Sequence, residues 1–297
     1  MLKVLYIAGS GRSGSTLLQQ VLGNLPGYFS IGEVQHIWKY LSWKQVRCGC
    51  GVIIEDCPFW SQVLEELGAT EDQINRLATL TKLLDRTRNV INLDSLFVDS
   101  NESFHELRSY TEQLYKAIGK FAPNQIIVDS SKTPSHLMLL SKIPSLDLRI
   151  LHLVRDARAV AYSWNRRSKR KLALSDQNQY MDKRPVLITM LRWTVENGFA
   201  SKWGKKLNNY SMMRYEDFTA APQEELIRAL GKIGLFDIDI SLLKSEGINL
   251  NPTHSIGGNP DRFQKAPLKI RHHEEWRTNM GALERLSLGI LAAPVLM

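Results

Sequence analysis

The sequence predicts an α/β fold, in which a central parallel sheet is covered by helices on both faces in a three-layer αβα arrangement. One observation is the apolar start, residues 1–8, which leads through a glycine-rich turn into a helix. A second is the return of apolar strand patterns at 125–129, at 148–154 and, more weakly, at 210–213. Ligands of such sheets bind at the carboxyl ends of the strands, so a site is expected there.

The predicted elements follow one another without a break that would mark a second domain. The chain has 297 residues, and no repeat, low-complexity tract or Pro/Gly/Ser linker divides it. We therefore expect a single domain spanning residues 1–297. In chain order the pattern predicts a strand over 2–8, a helix over 14–24, an amphipathic segment from Glu33 to about Val46, a cysteine loop, mainly helices over 58–121, and the later strands with helices between them.

Composition and charge narrow the class of protein. The net charge of +8 suits an acidic small molecule, a nucleic acid or an anionic surface. No nucleic-acid-binding motif accompanies the basic cluster at 166–171, which is typical of a solvated helix end or of a rim that attracts an anionic ligand. The N-terminal run lacks a signal-peptide cleavage site, and the apolar segment 286–297 is shorter than the roughly 20 residues of a membrane span. We expect a cytoplasmic protein without a membrane span or a nucleic-acid partner.

The glycine-rich turn after the first strand predicts a phosphate-binding loop. In the segment Gly9-Ser-Gly-Arg-Ser-Gly-Ser-Thr16, several backbone N–H groups and the positive end of a helix dipole surround one point. The loop that binds nucleoside triphosphates has a lysine where Ser15 stands here. Arg12 supplies a cation from within the turn instead. The loop therefore favours a donor with a single phosphate-like group, handled without Mg²⁺.

Two later strands also end in polar sequence that suits a phosphate. The segment Asp129-Ser-Ser-Lys-Thr-Pro134 ends the second predicted strand and carries Lys132. Arg155 stands at the exit of the third strand, and Ser163 lies eight residues later, about two turns along the following helix. Arg155 and Ser163 are therefore placed to hold a second anionic group between them.

Taken together, these motifs resemble the sulfotransferases that use 3′-phosphoadenosine 5′-phosphosulfate (PAPS), with further matches near Tyr215 and in Gly257-Gly-Asn-Pro-Asp-Arg262. The resemblance runs from residue 2 to about residue 276 and implies a P-loop sulfotransferase-like fold. It implies that Arg155 and Ser163 hold the 3′-phosphate of the donor, that Arg262 closes over that phosphate, and that Tyr215 lies against the adenine. The residues implied to hold the 5′-phosphosulfate are Gly11, Arg12, Ser13, Gly14, Ser15 and Thr16.

The resemblance also implies the catalytic groups. It is nearest to the bacterial and the tyrosylprotein or carbohydrate-like branches, in which an acidic residue after the first helix acts as the base, and Glu33 takes that place here. A carboxylate shielded from water becomes a better base as its pKa rises, and Glu33 is expected to behave in this way. His136 is the alternative base. Lys132 and Arg12 are the candidates for stabilising the leaving group, and the reaction requires no metal.

Three cysteines lie close together, at positions 48, 50 and 57. Reduced packing thiols, a disulfide and a metal site all fit this cluster, because a tetrahedral zinc site needs a fourth ligand that the local spacing does not supply. His36 is the nearest candidate for that ligand. His254, together with His272 and His273, is given no role.

The function predicted is transfer of a sulfuryl group from PAPS, leaving the product PAP, to a hydroxyl or amine. A small molecule, a peptide and a glycan all remain candidates for the acceptor, whose pocket is expected between about 38 and 121 and around 166–184. The oligomeric state is left open. Two alternatives are a P-loop kinase that transfers phosphate and a non-catalytic protein that binds anions or nucleic acid.

Overall fold

The fold is taken from a computed structural model of the chain. It describes residues 1–85, 89, 97–98, 100–165, 183–236, 238–243, 248–263, 267–268, 270–271, 274–282, 285–286 and 288–289. The basic cluster at 166–171, most of the expected acceptor segment 166–184, His272, His273 and most of 286–297 lie outside the described residues.

A five-stranded sheet with every pair of neighbours parallel forms the centre of the molecule, which confirms the predicted α/β class. The strand order is β2-β3-β1-β4-β5. The strands are β1 (Leu2–Gly9), β2 (Tyr28–Gly32), β3 (Ile126–Lys132), β4 (Leu146–Val154) and β5 (Tyr210–Arg214).

Strand β2 is absent from the prediction made on sequence alone. Its five residues, YFSIG, are too few to establish an alternating pattern, and they follow a Pro26-Gly27 turn signal. The strand exists because it pairs with β3 at the edge of the sheet. This pairing places Glu33 directly after a strand, whereas the sequence placed it at the start of an amphipathic segment.

Helices connect the strands and cover both faces of the sheet. The first one, α1, begins directly after the glycine-rich turn, close to its predicted start. The α-helices are α1 (Ser15–Leu22), α2 (Ile37–Trp43), α3 (Trp60–Leu67), α4 (Glu71–Leu84), α5 (Glu102–Phe121), α6 (Pro134–Ser141), α7 (Ala157–Asn165), α8 (Val186–Lys206), α9 (Tyr215–Ala220), α10 (Pro222–Gly231) and α11 (Glu275–Asn279), with short 3₁₀ helices at Val34–His36 and Pro260–Phe263.

Strand β1 is buried on both faces, and its side chains alternate between two hydrophobic clusters. Val4 and Tyr6 pack in the cluster that contains α5 and α6, whereas Leu5 and Ile7 pack in the cluster that contains α1 and α10. Because successive side chains of a strand point to opposite faces, a strand covered on both sides is apolar throughout. This explains the uninterrupted apolar run at the start of the chain.

Among the described residues, no helix is both long enough and apolar enough to cross a membrane.

Gly14 ends the turn before α1 with a φ of +95°, and a Cβ built on it would lie 2.3 Å from Cδ2 of Tyr215. Gly27 has a similar φ of +82° but has open space around it, with nothing within 4 Å. Gly27→Ala is expected to lower the free energy of unfolding only by the cost of an alanine in the left-handed region, about 1–2 kcal/mol. Gly14→Ala is expected to lower the free energy of unfolding by about 1–3 kcal/mol more than Gly27→Ala does, because the Tyr215 ring must move to make room for the added methyl group. Urea unfolding of both variants measures the difference, and equal losses would show that Tyr215 does not pack tightly on the turn.

Candidate active site

The carboxyl ends of the five strands bring the predicted site residues to one edge of the sheet. Strand β1 pairs with β3 so that Ala8 lies opposite Lys132, and it pairs with β4 so that Gly9 lies opposite Leu153, two residues before Arg155. The order along this edge is Glu33 after β2, Lys132 at the end of β3, the glycine-rich turn after β1, Arg155 after β4 and Tyr215 after β5.

The glycine-rich turn fits a phosphate or sulfate group. Helix α1 begins after Gly14 without a side-chain cap and without an acidic residue in its first turn. The first amides of a helix have no partner within the helix, so their N–H groups and the helix dipole are available to an anion. Arg12 is held at a φ of +70°, and Ser13 Oγ donates to the carbonyl oxygen of Ser10 at 2.6 Å, which stabilises the turn.

The residues expected to hold a second phosphate lie beside this turn. Arg12 Nε donates to Ser163 Oγ at 3.1 Å, and Arg155 Nη1 donates to the carbonyl oxygen of Arg12 at 3.1 Å. Trp193 Nε1 donates to the carbonyl oxygen of Arg155 at 3.0 Å and so positions the backbone at the end of β4. The structure therefore brings Arg12 together with Arg155 and Ser163, which follow it by 143 and 151 residues.

An ion pair and a hydrogen bond at the end of β4 hold the helix that follows this strand. Asp156 forms its ion pair with Arg158, with 2.6 Å between Oδ2 and Nη2, and its amide donates to Glu216 Oε1 at 2.9 Å. These contacts hold the start of α7, the helix that carries Ser163. They therefore position Ser163, a candidate phosphate-binding residue, indirectly.

Tyr215 packs beneath the turn. Its ring touches Gly14, the guanidinium carbon of Arg155 lies 4.5 Å from the ring centroid, and its hydroxyl donates to the carbonyl oxygen of Arg271 at 3.3 Å. The ring is buried. Contact of Tyr215 with an adenine stays a prediction.

Glu33 and Lys132 form an ion pair on the other side of the turn. Their side chains are 17% and 12% exposed, so the pair is largely removed from water. Lys132 adopts a φ of +72°, which is uncommon for a residue with a side chain, and its Nζ also donates to the carbonyl oxygen of Ser130 at 3.0 Å.

The environment of Glu33 lowers its pKa, contrary to the rise expected from shielding. Burial acts to raise the pKa, but Lys132, with smaller contributions from His36 and Arg262, more than offsets it. The carboxylate is therefore ionised at neutral pH, which a base requires. Its affinity for a proton is reduced as long as Lys132 stays beside it.

His36 contacts this pair rather than the cysteines. Its Nε2 lies 3.8 Å from Glu33 Oε2 and 3.2 Å from Gln35 Nε2. The expectation that His36 is the nearest fourth ligand for the cysteine cluster is therefore wrong, because the 3₁₀ turn that follows Glu33 directs the ring back to the carboxylate.

A loop late in the chain, residues 253–262, packs against Glu33 and α1. The Glu33 amide donates to the carbonyl oxygen of Ile256 at 2.7 Å, and the Ile256 amide donates to Ile31 at 3.1 Å. Further along the loop, the Asn259 amide donates to Thr16 Oγ1 at 3.3 Å. We call this segment the late loop. The late loop therefore supports both the candidate base and the start of α1.

Arg262 lies at the end of the late loop and is buried. It donates to the carbonyl oxygens of Gly257 and Arg47, the latter at 3.1 Å. These bonds tie the late loop to the cysteine loop, the segment that carries Cys48, Cys50 and Cys57. Its contact with a 3′-phosphate stays a prediction.

Comparison with known proteins identifies the family of this site. The family model described as "Sulfotransferase family" matches residues 5–238. The chain belongs to the sulfotransferase family. No curated protein sequence matches it significantly.

Two solved structures share the fold of this sulfotransferase. The sulfotransferase domain of the Synechococcus PCC 7002 olefin synthase aligns with a TM-score of 0.55 at 19% identity, covering 100% of this chain and 96% of that one. The sulfotransferase domain of the curacin biosynthetic pathway aligns with a TM-score of 0.56 at 16% identity, covering 99% and 98%. At these identities the similarity establishes the fold.

His136, the alternative base of the sulfotransferase, is buried between two carboxylates. Its Nε2 lies 3.5 Å from Asp129 Oδ2, and its Nδ1 lies 3.7 Å from Asp85 Oδ2. Burial acts to lower its pKa, but the two aspartates more than offset this and raise it. The raised pKa favours the protonated imidazole, which has no lone pair to accept a proton, and this counts against His136 as the base.

Sequence reasoning on the sulfotransferase missed His254 and the contact of the late loop with Glu33. The structure places His254 beside Cys48, Cys50 and Cys57, with the four ligand atoms within 4.8 Å of one another. No local pattern reveals this contact, because 197 residues separate His254 from Cys57. His152 on β4 is a core histidine, and its two ring nitrogens form hydrogen bonds with Tyr210 and Asn197 at 2.7 and 2.9 Å.

The titration of Glu33 makes the free energy of unfolding depend on pH. Lys132→Met is expected to reverse the direction of this dependence. In the wild type the lowered pKa contributes stability above roughly pH 4.3, the ordinary glutamate value, and this contribution is lost as the pH falls through the folded-state value. Without Lys132, burial raises the pKa of Glu33, so the variant loses stability as the pH rises from roughly 4.3 to the new folded-state value. The expected loss at neutral pH is about 3–5 kcal/mol.

Urea unfolding between roughly pH 4 and pH 7 measures this reversal. The double variant Glu33→Gln/Lys132→Met buries no charge and should recover most of the loss at neutral pH. Lys116→Met, which removes a more exposed ion pair with Glu112 on α5, is the control; it should cost far less stability at neutral pH and should not reverse the pH dependence. A parallel pH dependence in Lys132→Met and the wild type would contradict the assignment.

Proposed function

We propose that this sulfotransferase transfers a sulfuryl group from PAPS to a hydroxyl or amine, with Glu33 as the base and with Lys132 and Arg12 stabilising the leaving group. The observation that carries the proposal is the order of the groups along the sheet edge. A carboxylate, a lysine, an amide-lined turn and an arginine follow one another after β2, β3, β1 and β4.

This order parallels the chemical groups of the reaction. The acceptor hydroxyl needs a base, the transferred sulfuryl group and its leaving oxygen need a cation, the 5′-phosphate suits a helix N-terminus, and the 3′-phosphate suits an arginine. The sheet edge supplies these groups in the same spatial order, namely Glu33, Lys132, the turn 9–14 and Arg155. PAPS is therefore proposed to lie along the edge, with its sulfate toward β3 and its 3′-phosphate toward β4.

In the proposed step the acceptor oxygen or nitrogen attacks the sulfur atom, while the bond from sulfur to the bridging phosphate oxygen breaks. The proton of the attacking acceptor group passes to a carboxylate oxygen of Glu33, and the electron pair of the broken bond remains on the 5′-phosphate of PAP. Negative charge grows on that oxygen, so a cation directed at it accelerates the reaction. The chemistry otherwise consists of positioning, as in loose phosphoryl transfer.

The Glu33–Lys132 pair implies that Lys132 exchanges partners when the donor binds. An incoming phosphosulfate competes with Glu33 for the ammonium group, and as Lys132 moves toward the donor, burial of Glu33 is no longer offset by this neighbour. The pKa of Glu33 then rises and the carboxylate becomes a stronger base. Donor binding thereby activates the base.

A kinase is the alternative in the same fold, but Ser15 stands where a triphosphate-binding loop carries its lysine. A non-catalytic anion-binding protein would have no use for an ionised carboxylate beside the anion site. The acceptor is proposed to be a small molecule, a peptide or a glycan, and the site of action the cytoplasm.

PAP is expected to protect the protein against thermal unfolding, whereas ATP with Mg²⁺ is not. Arg155→Ala should weaken PAP binding about 10- to 100-fold, because a charge-assisted hydrogen bond contributes about 1.5–3 kcal/mol. Arg76→Ala, which breaks an exposed ion pair between Arg76 on α4 and Glu106 on α5, is the control and should bind PAP normally. Titration calorimetry gives both affinities. Protection by ATP with Mg²⁺ but not by PAP would favour the kinase.

Glu33→Gln is expected to bind PAP at least as tightly as the wild type, because Lys132 no longer has to leave a carboxylate, and to lose about 10²–10⁴-fold in turnover, the usual contribution of a general base. The assay follows radiolabelled sulfate from PAPS into compounds of a crude small-molecule extract, with Glu112→Gln as the control. Normal turnover in Glu33→Gln, together with loss of turnover in His136→Gln, would instead assign the base to His136.

A further inference from the structure

We propose that Cys48, Cys50, Cys57 and His254 form a structural zinc site in this sulfotransferase. The four side chains come from two loops far apart in sequence, the cysteine loop and the late loop. All four ligand atoms lie within 4.8 Å of one another, and the three cysteines are free thiols. Three thiolates and one imidazole form one of the usual ligand sets of structural zinc.

The distances fit one tetrahedral ion. Cys57 Sγ lies 3.6 Å from both Cys48 Sγ and Cys50 Sγ, and 3.1 Å from His254 Nδ1. Zinc–sulfur bonds of about 2.3 Å and zinc–nitrogen bonds of about 2.0–2.1 Å give tetrahedral S–S and S–N separations of about 3.8 and 3.6 Å. Shifts of about half an ångström or less at these three contacts, and of about 1 Å or less at the remaining pairs, which lie within 4.8 Å, would complete the site.

The cysteine loop has the backbone of a chelating turn. Cys48 donates from its amide to the carbonyl oxygen of Val52 at 2.8 Å, and the Gly51 amide donates back to Cys48 at 2.9 Å. Gly51 has a φ of +98°, which closes the turn. Only one residue separates the first two cysteines, fewer than in most zinc sites, and this tight turn is what brings Cys50 beside Cys57.

Contacts outside the four ligands fix the imidazole of His254. Its ring stacks on Phe29 and on Phe59, with centroids 6.0 and 5.5 Å away, and Trp60 Nε1 donates to its carbonyl oxygen at 2.7 Å. A ligand ring held by its surroundings is typical of metal sites. Four protein ligands, of which Cys48 and Cys57 are buried, leave no open position on the metal, which favours a structural rather than a catalytic role.

The site would join the two loops that support Glu33. His254 lies two residues before Ile256, whose carbonyl oxygen accepts the Glu33 amide, and the Gly49 amide donates to the carbonyl oxygen of Ser255 at 2.8 Å. Three thiolates around Zn²⁺ leave one net negative charge, and the buried Arg262 donates to the backbone beside Cys48, where its cation offsets that charge. Binding releases the three thiol protons. The zinc thus holds the backbone of the candidate base without contacting the donor.

The metal content of the purified chain tests the proposal directly. Protein prepared under reducing conditions, incubated with zinc and then dialysed against a weak chelator, should contain one zinc per chain by mass spectrometry. His254→Ala should lose the metal, His254→Cys should retain it as a four-thiolate site, and His105→Ala, an exposed histidine on α5, should retain it as the matched control. A wild-type chain without zinc after this treatment, or zinc retained fully in His254→Ala, would overturn the site.

Cobalt(II) and hydrogen exchange give readouts that do not depend on the variants folding or on activity. Cobalt bound to the wild type should show the intense visible absorption of a tetrahedral thiolate site, and zinc should displace it with loss of that absorption. Removing zinc should speed exchange of the Glu33 and Ile256 amides while leaving Leu5 in β1 protected. A weak, octahedral cobalt spectrum, or exchange unchanged by metal removal, would overturn the proposal, whether or not the protein binds PAP.

Discussion

The parallel pairing of β1 with β3 on one side and β4 on the other is the constraint on which the rest of the structure depends. Because all three strands run in the same direction, their carboxyl ends are held at one edge at fixed spacing. The turn after β1 thereby lies between Lys132 and Arg155. A shift of one residue in either pairing would turn every buried side chain of β1 to the opposite face, so the apolar packing on both faces fixes the register and with it the site.

A second constraint acts from outside the sheet. Gly32 ends β2 with a φ of +74° in direct contact with the backbone of Ile256, so the chain turns toward the late loop just before Glu33. The loop then reaches α1 through the amide of Asn259. Arg262 and the proposed zinc site are two independent connections between this loop and the cysteine loop. The candidate base is therefore supported by segments that have no direct part in the proposed chemistry.

The sequence predicts those parts of the molecule that depend on local order. The apolar run of β1, the glycine-rich turn and the polar ends of β3 and β4 are each visible in consecutive residues, and the sheet's parallel geometry brings them together. Strand β2 is invisible because it depends on pairing rather than on its own five residues. The His254 contact and the lowered pKa of Glu33 are invisible for the same reason, since both arise between side chains that only the tertiary fold makes neighbours.

The buried Glu33–Lys132 pair also explains how one site can hold a carboxylate beside a polyanionic donor. Without the lysine, the carboxylate and the incoming phosphosulfate would repel each other in a region shielded from water. With the lysine in place, the donor meets a cation that is paired with a carboxylate in the free protein. The proposed exchange therefore changes the proton affinity of Glu33 only when the donor binds. Breaking a buried pair is costly when nothing replaces the lost partner, but in the proposed exchange the donor replaces Glu33 as the partner of Lys132. The proposed mechanism thereby couples the basicity of Glu33 to donor binding: the pair stabilises the free protein, and the stronger base forms only in the bound complex.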